Sequence, residues 1–225
     1  MSAFDSNSLR EIAGPVALAA GVGYLLGSVN FAVIVAKRHG VDILKSGSGN
    51  PGATNVKRVI GKKAGNLVFF LDALKGAVAA GWPALFGAAV SKALHGEGAE
   101  VVTYMQLAGF FGALLGHCFS IFLKFKGGKG VAVTIGALLG AMPLNMVIGA
   151  LVWAALFFTT RFVSVASIGM ALALPLIAFL LPGQGVGPHF WFSIFTAVFI
   201  VITHRTNIMR LMRGEESRFA KKPKV

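Results

Sequence analysis

Long apolar runs separated by short polar or basic segments make up almost the whole chain. A membrane-spanning helix needs about 20 consecutive apolar residues, and several of the runs reach that length. The pattern therefore predicts an all-α, polytopic integral membrane protein with seven transmembrane helices. We expect these spans over residues 12–36, 64–90, 101–123, 131–142, 144–158, 163–181 and 190–203.

The distribution of Lys and Arg residues predicts the orientation. Because Pro143 interrupts the long apolar region 131–158, two short spans are predicted there instead of one. The loops 37–63, 124–130 and 159–162 and the tail 204–225 then share one side and carry 18 of the 21 Lys and Arg residues. By the positive-inside rule, the N-terminus is expected to be periplasmic and the C-terminus cytoplasmic.

Composition narrows the class of protein further. Hydrophobic residues make up 56% of the chain and charged residues 13%, which is too apolar for a soluble domain. The net charge of +13 lies in the loops, so it favours topology and an anionic lipid or substrate, and no nucleic acid partner is expected. Cys118 is the single cysteine, and no metal site and no cofactor are expected. We expect one seven-span membrane domain over 1–225.

The loop 124–130 reads Lys-Phe-Lys-Gly-Gly-Lys-Gly between two apolar runs. Glycine lets backbone amides approach a ligand, and successive amides beside lysines form an anion cradle. A basic loop that only sets membrane orientation explains the same composition. The loop is not a nucleotide-binding Walker A motif, because Lys129 is followed by Gly130 instead of Ser or Thr.

A second glycine-rich segment, Gly47–Asn55, lies in the polar loop 37–63 on the same predicted side. It contains the short polar side chains of Ser48, Asn50, Thr54 and Asn55 and is followed by Arg58, a cation suited to phosphate. A loop that only forms turns requires the same residue types, so that interpretation stays open beside a ligand-binding loop. Two such loops on one side of the membrane suit a substrate, or a pair of substrates, with two phosphates.

Several polar residues lie within or at the ends of the predicted spans. Asp72 and Lys75 share one helix face and should form a structural ion pair or line a polar site. His117 is interpreted as a structural histidine; the alternatives are a group that orients a loop by hydrogen bonding and an acid–base group. His204 and Asn207 share a face one turn apart, which suits either acid–base chemistry or an interfacial anchor. Ser164 and Ser167 lie at the start of the span predicted over 163–181, and their hydroxyls suit either a helix cap or a phosphate contact.

Taken together, these motifs identify a family resemblance. The segments GSGNPGATNVKR (47–58), LDALKG (71–76), FKGGKGVAVT (125–134), SVASI (164–168) and HRTNIMRL (204–211) occur in this order. In these segments the chain resembles the bacterial acyl-phosphate:glycerol-3-phosphate acyltransferases (PlsY family). The usual arginine of the first loop is replaced by Leu44, with Lys45 next to it, and the usual proline after the Gly-His pair is replaced by Ser120.

The resemblance implies transfer of an acyl group from acyl phosphate to the 1-hydroxyl of glycerol 3-phosphate. The products would be 1-acyl-glycerol 3-phosphate (lysophosphatidic acid) and phosphate, in the first acylation step of phospholipid synthesis. It also implies a bacterial cell inner membrane enzyme with its active site facing the cytoplasm. Membrane lipid and the two small-molecule substrates are the expected partners, and a monomer is expected.

Residue roles follow from the same resemblance. The residues implied in catalysis are Lys129, His204, Asn207, Ser167 and Arg58. Those implied in substrate binding are Ser48, Asn50, Thr54, Asn55, Lys126, Gly127, Gly128 and Gly130. The alternative is a membrane transporter or channel for an organic phosphate, which would predict inverted repeats and broken helices at mid-membrane. The sequence contains no internal repeat, and its polar loops cluster on one side.

Overall fold

The computed structural model describes residues 6–93 and 99–219, with side chains described over 12–93 and 100–219. Within those ranges the fold is helical, and one isolated antiparallel bridge joins Ser120 to Lys126. The helices are α1 Ser6–Ser28, α2 Phe31–Arg38, α3 Ala53–Val59, α4 Lys62–Ala93, α5 Ala99–Cys118, α6 Val131–Ala141, α7 Pro143–Thr160, α8 Val163–Leu180, α9 Pro188–Thr203 and α10 Arg205–Met212.

The helices group into two compact units, Met1–Met142 and Pro143–Val225. In the first unit, small residues bring backbones together. A Cβ atom built on Gly23 or Gly27 of α1 would collide with the backbone of α5 at Gly109 or Ala113. Such close approach is typical of helix packing in membranes, where small residues replace the hydrophobic effect as the main means of association.

A small hydrophobic cluster positions the first polar loop. Val56 of α3 and Ile43 are almost fully buried, and they pack with residues of α2 and α4; the cluster comprises Ala32, Val35, Ala36, Ile43, Val56, Ala64 and Val68. Asn30 caps α2 by accepting a hydrogen bond from the Val33 amide at 3.0 Å. The region predicted as a polar loop over 37–63 therefore contains the seven-residue helix α3, held by its apolar face.

The second unit consists of α7 to α10. Its last two helices meet at His204 with a bend of 58°. The side-chain amides of Asn145 and Gln184 exchange hydrogen bonds of 3.0 and 3.2 Å. The segment predicted as a basic tail from His204 thus begins with a helix, α10.

The described helices differ from the predicted spans mainly at their ends. The span predicted over 101–123 ends as a helix at Cys118, because the chain turns into a short 3-10 helix, Ile121–Leu123, and then into the bridge to Lys126. The span predicted over 12–36 is divided at Val29 and Asn30. The apolar region 131–158 forms two helices that meet at Met142 and Pro143, as the proline suggested.

Five described helical segments are long and apolar enough to cross a membrane, and the bent pair α9–α10 makes a sixth if it counts as one span. Helix α6 is apolar but has only 11 residues. The fold is therefore that of an all-helical protein with several membrane-spanning candidates.

Candidate active site

Asn55 organises the first glycine-rich loop. Its side-chain oxygen accepts a hydrogen bond from the Ser48 amide at 3.0 Å, and its Nδ2 donates to the Ser46 carbonyl at 2.9 Å. Asn55 is 1% exposed, and a Cβ on Gly47, which has φ +59°, would collide with its side-chain oxygen. Both polar atoms of Asn55 therefore form hydrogen bonds that shape the loop backbone.

The other candidates in this loop are more accessible. Ser48 and Arg58 are exposed, and Asn50 and Thr54 are half-buried. Thr54 and Arg58 lie four residues apart on α3 and so share one face of it. Since the opposite face of α3 packs through Val56, the helix presents a hydroxyl and a guanidinium group side by side.

The lysine–glycine loop, residues 124–130, follows a tight turn. Lys124 and Phe125 both have positive φ values, 52° and 59°, which non-glycine residues adopt infrequently. The Phe125 amide donates to the Ser120 carbonyl at 2.8 Å, and the Gly128 amide donates to the His117 carbonyl at 3.0 Å. These bonds attach the loop to the end of α5.

Three glycines of this loop press against α5. A Cβ on Gly127 would meet the carbonyl oxygens of His117 and Cys118, one on Gly128 would meet the His117 ring, and one on Gly130 would meet the Leu114 side chain. The Gly128 amide is already bonded to His117. The amides of Gly127 and Gly130 have no protein acceptor among the described residues. Of the predicted cradle, these two amides remain available for an anion.

The two lysines of the predicted cradle differ in exposure. Lys126 is exposed and forms the bridge with Ser120, whereas Lys129 is half-buried directly before Gly130 and the start of α6. A helix N-terminus beside a lysine is electrically favourable for an anion.

A buried charged cluster lies beneath the lysine–glycine loop. The Lys75 ammonium lies 2.9 Å from the Asp72 carboxylate, donates to the Val29 carbonyl at 2.6 Å and lies 3.1 Å from Nδ1 of His117. All three charged or ionisable side chains of the cluster are less than 7% exposed. The ion pair expected between Asp72 and Lys75 is present, and it includes His117 as a third member.

Ser120 also contributes to this region. Its buried hydroxyl donates to the Ser28 carbonyl at 2.6 Å, at the C-terminal end of α1. A proline at this position has no hydroxyl, so the serine supplies a bond between α1 and the turn after α5. At the other unusual position, Leu44 is exposed, and its neighbour Lys45 forms an exposed 3.7 Å ion pair with Asp42.

In the second unit, His204 lies at the junction of α9 and α10 and is 3% exposed. Its Nδ1 lies 2.8 Å from the Ile200 carbonyl. Because a carbonyl only accepts hydrogen bonds, Nδ1 must carry the proton, and the lone pair of the neutral ring is then on Nε2. The backbone amide of Asn207 donates to the His204 carbonyl at 2.8 Å, which places Asn207 in the first turn of α10.

The sequence reasoning missed Glu216. Its Oε1 accepts hydrogen bonds from Nδ2 of Asn207 at 2.6 Å and from the Ser164 hydroxyl at 2.8 Å, and its Oε2 lies 3.0 Å from Nε of Arg210. Burial raises the pKa of this carboxyl, but the hydrogen bonds from Asn207 and Ser164 and the charge of Arg210 outweigh it, so the pKa is lowered. After Glu100, the only acidic residues in the sequence are Glu215 and Glu216, and this isolation could have pointed to Glu216 as a partner for the polar residues of the site.

Ser167, one of the residues implied in catalysis, has partners within the protein. It is fully buried in α8, where its hydroxyl donates to the Val163 carbonyl at 2.8 Å and accepts from Nε1 of Trp153 at 3.3 Å. Ser164, one turn earlier, shares the Glu216 carboxylate with Asn207 instead. The second unit thus brings together Asn207 and Ser164 around the Glu216 carboxylate, and His204 lies three residues before Asn207 in the chain.

Comparison with known proteins identifies the family. The family model for glycerol-3-phosphate acyltransferase matches residues 17–214. Glycerol-3-phosphate acyltransferase of Agrobacterium fabrum is 45% identical over 210 residues, which cover 92% of this chain and 93% of that protein. The enzyme of the same name from Aquifex aeolicus is 42% identical, over 87% of this chain and 95% of that protein.

Two solved structures of PlsY, an integral membrane glycerol 3-phosphate acyltransferase, have similar folds. The glycerol 3-phosphate form aligns with a TM-score of 0.76 at 40% identity, covering 91% of this chain and 96% of that one. The lysophosphatidic acid form aligns with a TM-score of 0.74, also at 40% identity, covering 91% and 95%. This chain is a multi-pass membrane protein, and it belongs to the glycerol-3-phosphate acyltransferase family.

Proposed function

We propose that the protein transfers an acyl group from acyl phosphate to the 1-hydroxyl of glycerol 3-phosphate. The hydroxyl oxygen attacks the acyl carbonyl carbon, the bond from that carbon to the phosphate oxygen breaks, and the hydroxyl proton passes to a base. The products are 1-acyl-glycerol 3-phosphate and inorganic phosphate. The observation that carries this proposal is the lysine–glycine loop, which has two amides without a protein acceptor beside Lys129, in a chain of this family.

The proposed topology has seven spans, with the N-terminus periplasmic and the C-terminus cytoplasmic in the bacterial inner membrane. The five long helical segments, the bent pair α9–α10 and the short helix α6 supply seven segments. The concentration of Lys and Arg in alternate loops supports the orientation. With this arrangement both glycine-rich loops and the His204–Asn207 segment face the cytoplasm, from which the water-soluble glycerol 3-phosphate would approach.

In this proposal the first unit holds phosphate. Lys129 and the amides of Gly127 and Gly130 bind a phosphate group, with Lys126 beside them. Arg58 and Thr54 on α3, with Ser48 and Asn50 in the preceding loop, contact the substrates from the other glycine-rich segment. Asn55 and Gly128 hold the two loops in shape through the hydrogen bonds described above. Fixing both substrates in register supplies much of the acceleration.

In the second unit, Asn207 donates to the acyl carbonyl oxygen as negative charge develops on it. Glu216 positions the side-chain amide of Asn207, and Ser164 donates a hydrogen bond to the same carboxylate oxygen. His204 has its lone pair on Nε2 and is one candidate for the general base; a phosphate oxygen of a substrate is the other. Ser167 positions α8 through Trp153 and Val163. No covalent acyl-enzyme is needed, because acyl phosphate already carries a good leaving group.

The test is turnover by the purified full-length protein with labelled glycerol 3-phosphate. Acyl phosphate, acyl-CoA and acyl-acyl carrier protein are offered as separate donors, and labelled lysophosphatidate is measured. We expect product with acyl phosphate alone. Absence of product with all three donors would overturn the assignment as an acyltransferase, and product with another donor alone would overturn the donor.

A further inference from the structure

A cavity of about 590 Å³ lies in the second unit, at the short link between α7 and α8. Its walls are the apolar side chains of Phe162, Val165, Leu211 and Phe219, and two arginines, Arg161 and Arg218, also line it. None of these six residues belongs to the proposed catalytic or substrate-binding set. We call this cavity the two-arginine pocket.

The two guanidinium groups are held by aromatic rings and not by carboxylates. The guanidinium carbon of Arg218 lies 4.8 Å from the Phe162 ring centroid, and that of Arg161 lies 5.7 Å from the Phe158 ring centroid. Within the described part of the chain, no carboxylate oxygen lies within 4.0 Å of either group. A cation–π contact of this kind does not use the N–H groups of the guanidinium as a carboxylate would, so they are available for an anion.

Arg161 also has features that a surface link does not require. Its Nε is buried and has no hydrogen-bond partner among the described residues. Its φ angle is +64°, and its carbonyl accepts a hydrogen bond from the Phe219 amide at 3.0 Å. An unpartnered buried donor is rare in folded proteins, and a left-handed arginine persists only where its surroundings hold it. The hydrogen bond from Phe219 holds this backbone conformation, and the unpartnered Nε indicates that a ligand completes the site.

The location restricts the ligand. Helices α7 and α8 are both long and apolar enough to span a membrane, so the link between them lies at a membrane surface. A soluble anion would not need the four apolar walls. A phosphate attached to an acyl chain would match both parts of the pocket, because guanidinium groups bind phosphate through paired hydrogen bonds and apolar side chains bury hydrocarbon.

We propose that the two-arginine pocket binds the phosphate group of an acyl-chain-bearing lipid. Arg161 and Arg218 contact the phosphate, and the acyl chain lies against Phe162, Val165 and Phe219. Two sources have this chemistry: a two-chain anionic phospholipid of the membrane, and the single-chain lysophosphatidate formed in the proposed reaction. The binding site itself does not depend on that reaction.

The test is lipid binding by the purified full-length protein, measured by native mass spectrometry. Phosphatidylglycerol, lysophosphatidate, diacylglycerol and inorganic phosphate are titrated separately. The pocket variant is Arg161→Gln with Arg218→Gln. The matched variant, Arg205→Gln with Arg213→Gln, loses the same charge from exposed positions of the segment that contains α10. A thermal unfolding curve accompanies each variant, and Arg218→Gln alone serves if the double variant does not fold.

We expect the wild type and the matched variant to retain one phosphate-bearing lipid that the pocket variant binds at least about tenfold more weakly. The tighter of phosphatidylglycerol and lysophosphatidate identifies the source. Equal binding by the pocket variant would overturn the proposal. So would a loss of diacylglycerol or inorganic phosphate binding in the pocket variant as large as its loss of the phosphate-bearing lipids. Turnover is measured in parallel, so an inactive protein that still binds lipid refutes the proposed function and not the pocket.

Discussion

The Lys75 ammonium lies 3.1 Å from Nδ1 of His117, and both side chains are buried. An ammonium group has only donors, so Nδ1 of His117 must accept, and the ring proton must be on Nε2. A Cβ built on Gly128 would collide with this same Nε2. The buried ion pair of α4 is thus connected through one histidine ring to the lysine–glycine loop, which gives it a role in positioning that loop.

Replacing Lys75 by Met should allow the His117 ring to carry its proton on either nitrogen instead of on Nε2 alone. It removes the donor to His117 and leaves the Asp72 carboxylate buried without its partner, which costs about 3–5 kcal/mol. Selective ¹⁵N labelling of histidine, with the signal identified by its loss in His117→Asn, reports the protonated nitrogen. We expect the Nε2-protonated form in the wild type. A wild-type signal from the Nδ1-protonated form would contradict the connection.

Gly128→Ala should impair substrate binding more than folding. The added methyl group collides with the His117 ring, so the loop must shift by some fraction of an ångström or more. A displacement of about 1 Å at a substrate site costs roughly 100-fold, so we expect the KM for glycerol 3-phosphate to rise by about 10- to 100-fold. Gly21→Ala is the matched control, because a Cβ there has no atom within 4 Å. Equal KM values for the two variants would exclude the loop from binding.

Asn55→Ala should lower kcat/KM by loosening the first glycine-rich loop. The substitution removes the hydrogen bonds to Ser48 and Ser46, and the lost bonds and unsatisfied backbone groups cost roughly 1–3 kcal/mol. Asn145→Ala removes a comparable amide pair with Gln184 and provides a control. Both variants should unfold at lower temperature, but only Asn55→Ala should lose kcat/KM, by about tenfold or more. Similar kinetics for both would assign Asn55 to stability alone.

Glu216→Gln should destabilise the protein in a pH-dependent way. Because the folded-state pKa of Glu216 is lowered, its ionised form stabilises the fold above the ordinary carboxyl pKa. That contribution is lost as the pH falls through the folded-state pKa. We expect the melting temperature of the variant to lie below that of the wild type at pH 7 and the difference to shrink in acid, below about pH 4. A difference that does not change with pH would contradict the role of the charge.

The apolar pattern predicted the helices well because hydrophobic length and Pro143 act locally. It misplaced the end of α5, since Ile121 and Phe122 continue the apolar run after the helix has ended, and hydropathy does not register the bridge from Ser120 to Lys126. The partnership of Asp72 with Lys75 followed from helical spacing alone. The convergence of Ser164, Asn207 and Glu216 joins positions up to 52 residues apart, and no local pattern encodes such a contact.

Two residues implied in the site, Asn55 and Ser167, have hydrogen-bond partners within the protein that the sequence did not reveal. Asn55 was implied in substrate binding or in shaping the first loop, and its polar atoms form hydrogen bonds within that loop. Ser167 was implied in catalysis, and its hydroxyl is hydrogen-bonded inside α8 and to Trp153. In both cases a polar residue in a motif has a neighbouring backbone group as its partner, and sequence does not distinguish such a partner from a substrate.

The most direct test of the central claim is the stoichiometry of the reaction in proteoliposomes. Acyl phosphate and labelled glycerol 3-phosphate are supplied, and inorganic phosphate and labelled lysophosphatidate are measured together. Lys129→Met is compared with Lys124→Met, which removes an exposed lysine from the same loop. We predict one phosphate released for each lysophosphatidate formed, with activity strongly reduced in Lys129→Met and retained in Lys124→Met. Phosphate release or glycerol 3-phosphate uptake without lysophosphatidate would contradict the account.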